Sequence, residues 1–98
     1  MQKSIYTDGH EHFLALIRDV RLRAGLTQVQ LAERLGTIQS RITDYERGIR
    51  RMDLMELHQY CEAIGLPLNE FVAQFEERLK LPPPPSSRSR KLGGSGTK

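Results

Sequence analysis

Residues 26–48 read LTQVQLAERLGTIQSRITDYERG, and this stretch decides the fold. Its pattern is two short helices joined by a tight turn. Thr27 stands ahead of the first, with Gln30 three residues on. That is a capping box, in which each side chain satisfies a free backbone N–H at the helix start. Leu31, Ala32 and Leu35 then share one apolar helical face. Gly36 follows, a residue that ends helices because it takes the left-handed conformation without steric cost. Thr37 is placed to cap the second helix. There Ile42 and Tyr45 face inward, with Ile49 a further candidate, while Gln39, Ser40, Thr43, Asp44 and Arg47 face out. Gly48 ends that helix.

Upstream, residues 1–10 read as a flexible N-terminus, with residues 1–7 disordered. Asp8 with Glu11 offers a weaker, Asp-based capping box for a first helix. Phe13 or Leu14, Ile17, Val20 and Ala24 form its apolar face, and Gly25 ends it. Downstream, Ile49 to Met52 is a linking loop carrying Arg50 and Arg51. Asp53 and Glu56 make a second capping box. The fourth helix follows with Leu54, Leu57, Cys61 and Ile64 on its buried face, closed by Gly65. Pro67 suits the start of a fifth helix, because its missing N–H costs nothing there. Leu68, Phe71, Val72 and Phe75 form its stripe, and it runs to about Leu81. Those residues either pack inside or supply part of a dimer seam. Pro82 to Pro85 break any helix. The Ser-, Gly- and Arg-rich remainder lacks the apolar content to fold. The expected organisation is a flexible segment 1–10, a domain 11–81 and a disordered tail 82–98. The expected fold is all-α: five helices in a compact domain.

The chain has 98 residues, a hydrophobic fraction of 38% and no Trp, which suits one small domain with a modest core. No apolar run approaches the roughly 20 residues needed to span a bilayer, and MQKSIYTDGHEH lacks a signal-peptide core. A single Cys excludes an intramolecular disulfide, so a reducing, cytoplasmic setting is the simpler reading. Cys61 reads as a small core side chain. His10 and His12 read as surface residues rather than metal ligands, and His58 has no evident catalytic partner. The net charge of +3 is a poor guide to partners. Arg88, Arg90, Lys91 and Lys98 lie in the tail with no acid, and they exceed the whole surplus. Any attraction for nucleic acid must therefore come from local arrangement.

The central stretch resembles the helix-turn-helix of the phage-repressor/Cro family, the Xre-like regulators. The resemblance rests on Gly25-Leu26-Thr27-Gln28, Leu31-Ala32, Leu35-Gly36, Gln39-Ser40, Ile42 and Glu46-Arg47-Gly48. It extends more weakly from about Leu14 to Phe75. Ala32 fits physically, since two closely crossing helices leave no room for a larger side chain. The resemblance implies a lambda-repressor-like domain that binds double-stranded DNA, usually as a homodimer, with no cofactor. In that family the third helix enters the major groove and the second lies across the backbone.

Carried over position by position, Gln39 and Ser40 would read base edges. Gln can pair with adenine through N6 and N7, whereas Ser is less selective. Arg41 would reach a guanine or a phosphate. Thr43 and Asp44 lie one turn on; Asp44 either accepts from a cytosine amine, repels phosphate, or pairs with Arg41 or Arg47. Gln28, at the start of the second helix, would hold a phosphate oxygen together with the exposed N–H groups there. Arg47, Arg50 and Arg51 would hold phosphates on the other flank. Arg21 and Glu46 match positions that form a salt bridge between the first and third helices. Two positions depart from the pattern. Ile38 stands where the family often has Ser or Thr, losing a cap but offering apolar contact to a thymine methyl. Asp44 is acidic where many relatives are neutral or basic.

The leading function is therefore a dimeric, sequence-specific DNA-binding transcriptional regulator, a repressor. One alternative is an antitoxin-like regulator that also binds a partner protein through the tail or fifth helix. Another is a protein-interaction adaptor reusing the fold. An enzyme is not expected, because no nucleophile, metal constellation or glycine-rich phosphate loop appears. The tail is an inert linker, a polyproline ligand, or a basic cluster adding salt-sensitive DNA attraction.

Overall fold

The computed structural model describes residues 3–84, with side chains from Asp8 onward. Those residues form five helices and no strand: α1 (Lys3–Arg23), α2 (Gln28–Leu35), α3 (Gln39–Glu46), α4 (Leu54–Ile64) and α5 (Leu68–Leu79). The readings made for the tail lie, from residue 85 on, outside the described residues. α2 packs on α3 and α4, while α1 lies along α5 and touches α3. Between them sits one core: Leu16, Ile17, Val20, Leu26, Leu31, Ala32, Ile42, Tyr45, Tyr60, Cys61 and Phe71. Phe13 closes one side of it, meeting Phe71 and Phe75 edge-on at ring distances of 6.0 and 6.1 Å. Such edge-to-face pairs add about 0.5–1.5 kcal/mol beyond their buried area.

Local signals explain where most helices start and stop. The box at Thr27 is complete: the Gln30 N–H donates to Thr27 Oγ1 at 3.0 Å, and the Thr27 N–H donates to Gln30 Oε1 at 2.9 Å. Asp53 and Glu56 repeat it at the start of α4. After α2, Gly36 takes φ +70°, and the Thr37 N–H reaches back to the Ala32 carbonyl at 2.9 Å. This is the six-to-one bond of a Schellman turn. Gly48 does the same after α3, with the Ile49 N–H donating to the Asp44 carbonyl at 2.9 Å. A Cβ at Gly48 would also lie 3.0 Å from Leu14 Cδ1, so a larger residue there would have to push that side chain aside as well as take a positive φ.

Several expectations are corrected. Residues 3–10, expected within a flexible segment, are helical, so Asp8 and Glu11 lie inside α1 rather than at its start. His12 is buried rather than on the surface: its Nε2 donates to the Leu81 carbonyl at 3.1 Å. Arg78 pairs with Asp19 at 2.8 Å further along the same seam. Thr37 falls one residue too early to cap α3, and Ile38 holds the N-cap. Ile49 and Leu54 point to water, at 64% and 70% exposure, although both lie on apolar stripes. Ala24 follows the last residue of α1 and is exposed. Val72 is also exposed, and α5 stops at Leu79. Leu16 and Tyr60, which the expected faces omit, are fully buried.

Candidate nucleic-acid interface

α3 is an eight-residue helix with one buried face, made by Ile42 and Tyr45. Ala32, 2% exposed, lies beneath it on α2. The opposite face carries the predicted readers. Gln39 and Ser40 are exposed at the helix start, while Arg41, Thr43 and Asp44 are half-buried behind them. Arg47, Arg50 and Arg51 are exposed at the far end and in the following loop. No ion pair joins Asp44 to Arg41 or Arg47 among the described residues, which removes one of the three readings of that acid.

A line of hydrogen bonds connects this face to the core. Arg21 Nε donates to Glu46 Oε2 at 2.6 Å and Arg21 Nη2 to Glu46 Oε1 at 3.0 Å, a bidentate pair. The remaining Arg21 Nη1 donates to the Leu26 carbonyl at 2.8 Å. Tyr60 brings its hydroxyl 3.2 Å from Glu46 Oε2 and donates at 2.8 Å to the Ile17 carbonyl. Glu46 Oε1 also accepts from Gln28 Nε2 at 3.1 Å. A carboxylate only accepts, so it fixes which way round the Gln28 amide lies. The Gln28 oxygen then faces α3, where it accepts from Thr43 Oγ1 at 2.8 Å and Gln39 Nε2 at 3.2 Å. The structure thus joins Gln28, Gln39 and Thr43 directly, which spacing along the chain does not reveal. Gln28 and Gln39 also line one open groove with Arg21 and the Thr27–Val29 helix start.

A family model described as "Helix-turn-helix domain" matches residues 12–74. Among solved structures, the chain is similar to an XRE-family like protein from Pseudomonas syringae pv. tomato str. DC3000. The two are 33% identical, with a TM-score of 0.72 over 78% of this chain and 93% of that one. The chain belongs to the XRE-like helix-turn-helix family of DNA-binding regulators. No curated protein matches it.

The electrostatics of this helix-turn-helix domain serve the scaffold. The hydrogen bond to Glu46 raises the Arg21 pKa above its ordinary value, so its charge is never in question. Burial, reinforced by Glu46, raises the Tyr60 pKa and keeps the phenol neutral as a donor. Burial also pushes the Cys61 thiol up to about 11, which leaves it an inert core group at neutral pH. Tyr60 belongs to the site and was legible in principle: it lies three residues after Leu57 on the α4 stripe. No described helix is long and apolar enough to cross a membrane.

Proposed function

We propose that this XRE-like domain is a cytoplasmic transcriptional repressor that binds double-stranded DNA as a homodimer and reads the major groove with α3. The observation that carries the reading is the exposed Gln39–Ser40 pair at the start of a helix whose other face is core. One N–H of the Gln39 amide goes to Gln28. The other N–H and Oε1 remain, and these are the donor and acceptor that adenine N7 and N6 require. Ser40 and Arg41 extend the readout along the helix, with Thr43 and Asp44 one turn further in.

Phosphates are held on two flanks. On one side stand the second N–H of Gln28 and the start of α2; on the other, Arg47, Arg50 and Arg51. Their release of counterions makes binding fall steeply with salt. Two copies would set their α3 helices about 34 Å apart on an inverted repeat. Occupancy of such a site excludes other proteins from it, which is repression without an effector.

Selection from randomised duplex DNA, with the mass of the complex measured alongside, tests this. The reading expects an inverted repeat and a mass of two chains per duplex. Absence of any enriched sequence would instead favour an adaptor.

A further inference from the structure

We infer that Ile38 is a specificity-determining residue that reads the 5-methyl group of a thymine beside the base pair read by Gln39; this rests on the DNA-binding reading above. Ile38 occupies the N-cap of α3 with extended backbone (φ −109°, ψ 158°), and its side chain makes no cap. Ile is among the poorest residues for that position, where a hydroxyl or carboxylate would accept from a helix N–H. Nor does Ile38 pack into the core: it is 68% exposed. The residue therefore serves neither of the purposes that a helix start or an apolar side chain ordinarily serves in folding.

Its place is what separates it from other exposed apolar residues, which singly need no explanation. Ile38 directly precedes Gln39, at the tip of the helix proposed to enter the groove. Thymine is the base that carries a methyl group in the major groove, and apolar contact is how that methyl is recognised. The side chain suits the task, because a β-branched residue has few rotamers to lose on docking. Gln39 and Ile38 would then divide the labour between hydrogen bonding at one base pair and apolar contact at its neighbour.

The test uses the full chain and a duplex selected by it. Each thymine is replaced in turn by deoxyuridine, which removes the methyl and nothing else, and affinity is measured at fixed salt. Burying one methyl corresponds to about a fourfold change in affinity. The expected result is one thymine per half-site, next to the adenine lost in Gln39→Ala, whose replacement weakens binding by about that factor. In Ile38→Ala the thymine and uracil duplexes should bind alike, and Ile38→Val should keep part of the difference. Melting curves establish that each variant is folded. A methyl penalty that survives in Ile38→Ala overturns the inference, as does a selected site without such a thymine. In either case tight binding of the duplex would leave the DNA-binding reading standing, whereas no binding to any duplex removes both.

Discussion

At its C-terminal end α3 is tied to two other helices and meets a third; at its N-terminal end it is tied to one, through a single amide. Glu46 takes hydrogen bonds from Arg21 on α1 and Gln28 on α2 and lies 3.2 Å from the Tyr60 hydroxyl on α4, and the Gly48 turn closes the helix behind it. At the other end Gln39 donates to Gln28, Ile38 caps nothing, and both side chains face water. The starts of α2 and α4 show that the chain builds complete capping boxes elsewhere. The difference teaches how a short helix can be rigid and still present unsatisfied groups: one end supplies the anchorage that the other gives up. A helix of eight residues would be marginal in water alone, so that anchorage is a condition of its existence.

The largest effect expected from breaking this comparison lies at the anchored end. Glu46→Ala leaves the buried Arg21 guanidinium without its partner, at a cost of about 3–5 kcal/mol in urea unfolding. A loss below about 1 kcal/mol would mean that the C-terminal end is not what holds α3. Gly48→Ala should be the next most damaging. It forces a Cβ onto a backbone with φ +79° and against Leu14, for about 1–3 kcal/mol in the same assay. At the free end the sign reverses. Ile38→Ser supplies the missing cap and should raise stability by up to about 1 kcal/mol, while costing the thymine-methyl preference because no methyl remains on the side chain. A variant that gained stability and kept that preference would separate the two roles assigned to this position.

How much of this was legible in the sequence depended on whether the signal was local. Both capping boxes and the closing turns at Gly36 and Gly48 could be read directly, because their partners lie within a few residues. Periodicity placed Ile42, Tyr45, Cys61 and Phe71 inside. It misplaced Ile49 and Leu54, since a stripe says which side is apolar but not whether a neighbour covers its end. The start of α1 was misjudged too: a local cap signal at Asp8 suggested a helix start there, whereas the helix begins at Lys3. Arg21 and Glu46 came from family resemblance and stand 2.6 Å apart. The bonds from Gln28 to Glu46, Gln39 and Thr43 could not be read at all, because they cross between two helices and depend on the crossing angle of α2 and α3.

The most direct test of the central claim is the affinity of Gln39→Ala for the duplex selected by the unaltered chain, against the same duplex with its matching adenine replaced. One bidentate base contact is worth about 1–3 kcal/mol, or roughly a 5- to 150-fold change in affinity. The account predicts a loss of that size, with the variant no longer distinguishing adenine from other bases at that position. A folded Gln39→Ala protein that binds as tightly and discriminates as well would contradict it.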